Sequence, residues 1–301
     1  MMKTIMHITD THAYAAGIAS AATASGLAAD AYVHTGDIVR DCYDDDTGGA
    51  LDTKFCPVIG NHDAITREGT QVRPYYDWTQ QPTQEQLRAK FFPNPSKYGI
   101  ELADGGTWWK KDLGEMLLLG LNFTAREEAF SAQSEWLRTV LDACLHEGKP
   151  VVVASHDGND SVGLSFVQCP WTAAYWKNTD YRDASLDELY PFIAASREMV
   201  QNFKTRGGTV LLWIYGHSHA DGFSTTGGFP QIVLGSTIAD QYNDVYRSSG
   251  GRTGACVVNR YEIDLEAKSL TVYRLGADVT YTGRWRRMLA YNYESGKVNF
   301  A

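Results

Sequence analysis

Short apolar runs recur along the chain, and each has the length of a single strand. They occupy residues 4–8, 31–33, 55–59, 116–121, 151–154 and 210–215. Runs that are apolar almost throughout are typical of strands buried on both faces. Helix-like patterns lie between several of them, at residues 16–29, 134–146 and 186–204. This alternation predicts an α/β fold.

The later part of the chain has a different pattern. Residues 231–234, 255–264 and 269–275 have strand character, with turn signals and no helix between them. They predict a second, largely antiparallel sheet. No internal repeat or linker divides the chain, so we expect one domain over residues 1–280. Long polar and aromatic stretches predict insertions near residues 65–95 and 157–183, and residues 281–301 are expected to form a hairpin or tail packed on the domain.

Composition narrows the class of protein. Of the 301 residues, 44% are apolar and 21% are charged, which is typical of globular domains and argues against a disordered, collagen-like or coiled-coil protein. No apolar stretch approaches the roughly 18 residues that a membrane span needs, and no signal peptide is expected. The formal charge of −9 disfavours nucleic acid and anionic membranes as partners.

The cysteines predict no disulfide framework and no structural zinc cluster, because they are odd in number and widely spaced. We expect them to be buried, small apolar residues in a reducing compartment, which places the protein in the cytoplasm. The five are Cys42, Cys56, Cys144, Cys169 and Cys256.

Polar clusters follow five of the apolar runs at their carboxyl ends. The clusters are Asp10-Thr11-His12, Gly36-Asp37, Gly60-Asn61-His62-Asp63, Ser155-His156 and Gly216-His217-Ser218-His219. The carboxyl ends of parallel strands meet at one edge of a sheet, where loops converge on a ligand. Imidazole, carboxylate and amide groups without thiolate suit Mn, Fe, Zn or Ni. The histidines outside these clusters, His7, His34 and His146, are predicted to be structural.

In this order, the motifs D-x-H, G-D, G-N-H-D, H and G-H-x-H resemble those of the calcineurin-like metallophosphoesterases. The resemblance spans residues 10–219. It implies a four-layer α/β/β/α sandwich of two mixed β-sheets, a catalytic domain with two divalent metal ions at the sheet edge. It implies ligands Asp10, His12, Asp37 and His219 for one metal, and Asp37, Asn61, His156 and His217 for the other.

The resemblance also implies a mechanism. A water molecule bridging two metals about 3.5–4 Å apart would have its pKa brought towards about 7, so the bridging hydroxide could attack phosphorus at neutral pH. His62 is expected to assist the leaving group, and Asp63 to hold the imidazole of His62 in orientation. The alternative, that His62 is a further metal ligand, stays open.

One departure bears on the substrate. Phosphoprotein phosphatases of the family read G-D-x-V-D-R-G, whereas this chain places Arg40 one position earlier. The chain therefore looks more like the cyclic-nucleotide and glycerophosphodiester phosphodiesterase branch, and a small-molecule phosphodiester or phosphomonoester is the expected substrate.

The aromatic residues of the second insertion are candidate substrate contacts together with Arg40. Trp171, Tyr175 or Trp176 could stack on a base or sugar. The alternative is a small apolar cluster beneath a long loop.

Two other functions remain open. One is a nuclease of the same superfamily, against which the acidic charge argues. The other is a catalytically silent binding or structural module, against which the complete set of motif residues argues. Loss of activity on replacing Asn61 or His62, with folding retained, distinguishes catalysis from a purely structural role.

Overall fold

The computed structural model describes residues 1–13, 21–39, 42, 47, 49–64, 66–67, 76–77, 81–125, 127–157, 191–217, 222–234, 258–275 and 286–300. In these ranges the α-helices are α1 (Asn61–Ala64), α2 (Gln84–Phe91), α3 (Glu127–Glu147) and α4 (Pro191–Thr205), and residues 21–25 are also helical. Short 3-10 helices cover Ala50–Asp52, Pro95–Tyr98 and Thr226–Gly228. None of the helices in the described ranges has the length and apolar character that crossing a membrane requires.

The described strands form two large sheets and one small ribbon. In chain order they are β1 (Met2–Ile8), β2 (Ala31–His34), β3 (Cys56–Pro57), β4 (Thr66–Arg67), β5 (Tyr76–Asp77), β6 (Glu101–Leu102), β7 (Trp109–Asp112), β8 (Leu117–Leu121), β9 (Val151–Ser155), β10 (Val210–Tyr215), β11 (Gly222–Ser224), β12 (Gln231–Val233), β13 (Val258–Asp264), β14 (Ser269–Leu275), β15 (Arg286–Asn292) and β16 (Val298–Phe300). Sheet 1 has the order β16-β15-β14-β13-β1-β2-β3, sheet 2 has the order β11-β12-β10-β9-β8-β7-β6, and β4 pairs with β5.

Alternation along the strands builds four layers. On β9, Val152 and Ala154 belong to the core between the two sheets, whereas Val151 and Val153 pack in the core that includes α3 and α4. On β1, Ile5 belongs to the core between the sheets, whereas side chains on the opposite face of the strand pack against the helix at residues 21–25. Successive side chains of a strand point to opposite faces, so both sheets are covered on both sides. The predicted α/β/β/α sandwich of two mixed sheets is confirmed.

The parallel strands bring the sequence motifs to one edge. In sheet 1, β1 pairs with β2 and β2 with β3 in parallel. In sheet 2, β8, β9, β10 and β12 are parallel neighbours. The described residues of all five polar clusters lie at or directly after the carboxyl ends of β1, β2, β3, β9 and β10, as the sequence indicates.

Two sequence-based expectations for the later strands were wrong. Residues 231–234 do not lie in one antiparallel sheet with the later strands, because β12 belongs to sheet 2, where it is parallel to β10 and antiparallel to β11. Strands β13 and β14 are antiparallel as expected, but they extend sheet 1, where β13 pairs with β1 from Met2↔Asp264 to His7↔Asn259. Strand β13 therefore pairs with the side of β1 that does not contact β2. The last two strands, β15 and β16, pair with each other and continue this sheet.

The helix and strand limits also differ in detail from the sequence pattern. Only residues 56–57 of the apolar run 55–59 pair as a strand, and α3 begins before the predicted residue 134. Helix α2 lies within the stretch 65–95, and Thr83 starts it with a capping box, in which Thr83 Oγ1 accepts from Gln86 N and Gln86 Oε1 accepts from Thr83 N. The described cysteines, Cys42, Cys56 and Cys144, are buried, and Cys169 and Cys256 lie outside the described residues.

His7 and His34 are fully enclosed between polar neighbours. The Nδ1 atom of His7 lies 2.9 Å from Tyr261 Oη, and its Nε2 lies 2.7 Å from Thr35 Oγ1. Gly36 N donates to His34 Nδ1 at 3.2 Å, so the other ring nitrogen of His34 carries the proton. Burial lowers the pKa of each imidazole to about 3. His34 lowers the pKa of His7 further, and His156 and His12 lower that of His34. Both rings are therefore neutral structural groups.

Acid is expected to destabilise the fold through these two rings. An unfolded histidine takes up a proton below its ordinary pKa near 6.5, whereas His7 stays neutral in the folded chain down to about pH 3. Stability is therefore fully present above pH 6.5 and falls as the pH decreases from 6.5 towards 3, by about 1.4 kcal/mol per pH unit for each ring. Calorimetric Tm values between pH 7.5 and 4.5 test this. His7→Gln, which can keep both hydrogen bonds but does not titrate, should show a shallower slope, and equal slopes would contradict the assignment.

Candidate metal centre

The loops that follow β1 and β2 run side by side. Asp10 N donates to Gly36 O at 3.0 Å, His12 N to Asp37 O at 2.9 Å, and Ala13 N to Ile38 O at 2.7 Å. These hydrogen bonds extend the pairing of the two parallel strands beyond their ends. The D-x-H and G-D motifs are therefore held against each other by backbone contacts.

Four of the motif residues have left-handed backbone conformations. The φ angle is 50° at Asp10, 44° at His12, 55° at Asp37 and 66° at His217. Residues other than glycine rarely adopt such angles, and those that do tend to cluster at functional sites, where the surrounding structure holds them. The backbone at this sheet edge is therefore shaped to aim these side chains.

Two motif glycines allow the loops to approach closely. A Cβ atom on Gly60 would lie 2.2 Å from both Asp37 N and Asp37 Oδ1. A Cβ atom on Gly36, whose φ is +96°, would lie 2.6 Å from His156 Nδ1. No side chain fits at either position, because the atoms it would meet belong to the candidate ligands and their backbone.

Asp37 lies at the centre of the cluster. Its Oδ1 is 3.2 Å from His156 Nε2, and its Oδ2 is 3.8 Å from His12 Nε2 and 3.9 Å from His62 Nε2. The side chain is only 2% exposed. Burial alone would raise the pKa of Asp37, but His156, then His62 and His12, outweigh it and hold that pKa well below its usual range. The carboxylate is ionised and surrounded by imidazoles.

Asn61 and Asp10 complete the described part of the cluster. Asn61 Oδ1 lies 3.0 Å from His156 Nε2 and 2.8 Å from His217 Nδ1. Asp10 is fully buried, and its Oδ2 accepts from Thr9 Oγ1 at 2.6 Å and from His217 N at 3.1 Å. The structure thus brings together residues that are far apart in sequence at one edge of the two sheets.

The orientation of the His156 ring is fixed by a backbone group. Its Nδ1–H donates to Thr35 O at 2.6 Å, which leaves Nε2 facing Asn61 and Asp37. Burial opposes a charge on His156, but the carboxylate of Asp37 outweighs it and raises the pKa of His156 to about 9. Burial lowers the pKa of His217. A backbone hydrogen bond of this kind selects the ring nitrogen that is free to bind a metal.

Asp63 is fully buried and accepts hydrogen bonds from the backbone of two loops. Its Oδ1 accepts from Ile38 N at 2.8 Å and Val39 N at 3.0 Å, and its Oδ2 accepts from Gly60 N at 2.8 Å. Burial, and then Asp37, raise the pKa of Asp63 to about 6. In the described part of the chain these hydrogen bonds join the loops after β2 and β3, and the role of Asp63 in orienting the His62 imidazole stays a prediction.

Two overlapping groups of side chains could each hold a metal ion. One consists of His12, Asp37 and His62, the other of Asp37, His156 and His217, and within each group the ligand atoms lie within 4.8 Å of one another. Imidazole nitrogen and carboxylate oxygen, with the amide oxygen of Asn61 beside the second group, make up a donor set that fits a divalent transition metal. The residues present therefore fit the metals that the motifs imply.

Several predicted site residues lie outside the described part of the chain. They are the metal ligand His219 and the candidate substrate contacts Arg40, Trp171, Tyr175 and Trp176. Their roles stay predictions.

The sequence reasoning missed a residue that follows β8. Phe123 stacks on His156 with ring centroids 5.4 Å apart and planes at 25°, and it lies 6.3 Å from the ring of His217. A signal was present, because Asn122, Phe123 and Thr124 follow the carboxyl end of the apolar run 116–121 as the other clusters follow theirs.

The α/β/β/α sandwich, with histidine and aspartate side chains at the sheet edge that could hold metal ions, is the architecture of a class of metal-binding α/β proteins. The chain belongs to the calcineurin-like phosphoesterase family, whose model matches residues 3–221. It is therefore a hydrolase of phosphoric ester bonds, and divalent metals are the cofactors of this family. The resemblance inferred from the motifs is confirmed.

Comparison with solved structures gives distant relatives. The structure titled PhoD is 12% identical, with a TM-score of 0.55, over 100% of this chain and 71% of that chain, which shows a shared fold. A conserved uncharacterized protein from Streptococcus pneumoniae TIGR4, titled a predicted phosphoesterase, is 14% identical, with a TM-score of 0.40, over 96% of this chain and 98% of that chain. A search of curated proteins found no match.

Proposed function

We propose that this chain is a dinuclear metal-dependent hydrolase of small phosphate esters. The observation that carries the proposal is the position of Asp37, which belongs to both described groups of possible metal ligands. A carboxylate shared between two cations reduces their mutual repulsion and fixes their separation. When bound, the metals supply Lewis acidity and activate water as the nucleophile.

The ligand assignment is the one that the resemblance to the family implies, with Asp37 shared between the two metals. Asp10, His12, Asp37 and His219 are assigned to one metal, and Asp37, Asn61, His156 and His217 to the other. In support, Asn61 Oδ1 lies within 3.0 Å of both His156 Nε2 and His217 Nδ1, so three donors of the second metal converge on one point. The chemical nature of the donors favours Mn, Fe, Zn or Ni.

His62 is assigned to the leaving group. Its backbone N–H donates to Asp37 Oδ1 at 2.9 Å, which places the residue beside the shared carboxylate. Its side chain is 20% exposed, compared with 9% for His12 and 0% for His156, so its imidazole is the more open to an entering ester. A proton donor within reach of substrate is what departure of an alkoxide requires.

The substrate is proposed to be a small phosphodiester or phosphomonoester. The departure at Arg40 from the phosphoprotein phosphatase motif supports this choice, and the formal charge of −9 disfavours a polyanion such as DNA. Arg40 and the aromatic residues Trp171, Tyr175 and Trp176 remain the proposed substrate contacts, and the cytoplasm the proposed location.

The function is tested by hydrolysis of p-nitrophenyl phosphate and bis-p-nitrophenyl phosphate with Mn²⁺, Zn²⁺, Ni²⁺ or no added metal. We expect metal-dependent turnover. For an alkyl phosphate such as glycerol phosphate, whose alkoxide leaving group needs a proton, kcat of His62→Ala should fall by roughly 10²- to 10⁴-fold, the usual contribution of a general acid, while the metal content of the protein stays unchanged. The matched control is His146→Ala, which removes an exposed histidine from the end of α3 and should leave kcat as in the wild type.

Two results would count against this assignment. A loss of bound metal in His62→Ala would make His62 a ligand of the group that contains His12 and Asp37. No turnover by the wild type with any of the metals would overturn the proposed reaction and favour the catalytically silent module.

A further inference from the structure

A buried polar cluster follows β8, outside the sequence motifs. Asn122 N donates to Gln133 Oε1 at 2.8 Å, and Gln133 Nε2 donates back to Asn122 O at 2.7 Å. The Asn122 side chain accepts from Thr124 N and Thr124 Oγ1, at 2.9 and 2.6 Å, and donates to Thr107 Oγ1 at 2.8 Å. Each of these four side chains is at most 1% exposed. A fully satisfied polar cluster of this kind holds its backbone in one conformation.

The residue held in the middle of this cluster is Phe123. Because Asn122 and Thr124 are fixed on either side of it, the direction of the Phe123 side chain is fixed as well. That side chain is 2% exposed and belongs to the core between the sheets. One face of the ring stacks on His156, and the ring also lies against His217.

His156 is thereby constrained in two independent ways. Its Nδ1–H is bonded to Thr35 O, and one face of its ring is covered by Phe123 at a centroid distance of 5.4 Å. The hydrogen bond selects the nitrogen that faces the cluster, and the stacked ring limits how far the imidazole can tilt about it. The rings of His156 and His217 are themselves edge to face, with centroids 5.0 Å apart.

We propose that Phe123 is a positioning residue for the two histidines, and that the paired hydrogen bonds between Asn122 and Gln133 hold Phe123 in place. The inference rests on the proposed function, because it assumes that His156 and His217 bind a metal. Phe123 is expected to act through them by limiting the ring orientations of the metal-free protein. Residues that orient metal ligands commonly change metal affinity by about 10- to 100-fold when replaced.

The test uses the full chain and Co²⁺ as the probe, with affinity from titration and ligand geometry from the visible absorption spectrum. Phe123→Leu keeps an apolar side chain of similar bulk but removes the flat ring. We expect roughly tenfold weaker binding of Co²⁺ and an altered spectrum. Gln133→Met, on α3 and outside the ligand set, should change both readouts in the same direction.

The matched control is Phe91→Leu. Phe91 is fully buried in the same core cluster as Phe123 but lies on α2. Its replacement should lower the Tm without changing Co²⁺ affinity or the spectrum, which separates positioning from general loss of packing. If Phe123→Leu does not fold, Gln133→Met decides the question.

The outcomes distinguish the proposed metal centre from the proposed positioning role of Phe123. Absence of Co²⁺ binding in the wild type would overturn the metal centre itself. If the wild type binds Co²⁺ and a folded Phe123→Leu variant binds it equally well, the positioning role alone is overturned. If Phe123→Leu is unfolded, equal binding by Gln133→Met has the same meaning.

Discussion

Replacing Asp37 with asparagine is expected to remove bound metal and to lower the hydrolysis of phosphate esters by roughly 10²- to 10³-fold, a loss of the size seen when preorganised electrostatic groups are removed. Asp37 is the carboxylate common to both described ligand groups. Two unit charges 4 Å apart interact by about 4 kcal/mol at an effective dielectric constant of 20, and divalent ions interact more strongly. Without the shared negative charge, that repulsion is no longer offset.

Asparagine has the shape of aspartate, so the packing around position 37 is retained. Any change in metal content or kcat is then due to the lost negative charge. The measurement is metal content by elemental analysis alongside kcat in added Mn²⁺. Asp112→Asn is the control, because Asp112 is a largely exposed carboxylate that pairs with Lys149 at 2.7 Å on β7. It should leave both readouts unchanged. Two equivalents of tightly bound metal in Asp37→Asn would refute the shared-ligand role.

Replacing Gly60 with alanine is expected to destabilise the fold by about 3 kcal/mol, at the upper end for added bulk in a packed interior, and to impair metal binding as well. The new Cβ atom would lie 2.2 Å from Asp37 N and Asp37 Oδ1. Backbone cannot move aside as a flexible side chain can, so the loop after β2 must shift, and Asp37 must shift with it. Urea unfolding curves and metal content measure the two effects.

The control for added bulk is Gly26→Ala. There the new Cβ atom would lie 3.3 Å from its nearest neighbour, Thr23 O, and the change should stay within about 0.5 kcal/mol, as for most surface substitutions. If Gly60→Ala has the stability and metal content of the wild type, the loops after β2 and β3 can move apart, and their close approach is not needed for metal binding.

The fold was largely predictable because the strands of the core are apolar on both faces. The runs that became β1, β2, β8, β9 and β10 have no competing interpretation as long helices or loops, and the polar residues after them mark the carboxyl edge. The pairing partners of the strands were harder to predict from the sequence. Nothing local in residues 231–234 distinguishes a parallel neighbour of β10 from a member of an antiparallel sheet, since pairing depends on which sheet edge is free in three dimensions.

For the candidate site, the sequence identified residue types whose chemistry is specific, such as His156 and Asp37. It did not reveal the hydrogen bonds that Asp63 makes, because a carboxylate beside a histidine gives no sign of which amides will reach it. Phe123 was missed for a similar reason. An aromatic residue after a buried run usually fills a core, and only the positions of His156 and His217 in space show what its ring covers.

The pairing of β1 has a consequence for how the protein forms during synthesis. Strand β1 is an inner strand of sheet 1, with β2 on one side and β13 on the other. Residues up to His217 leave the ribosome before Val258–Asp264, so the described metal-ligand candidates are all outside the ribosome while β1 still has an unpaired edge. An unpaired strand edge is a template for pairing with other chains. During the interval between the emergence of β10 and that of β13, the edge of β1 that later pairs with β13 is therefore open to association with other chains.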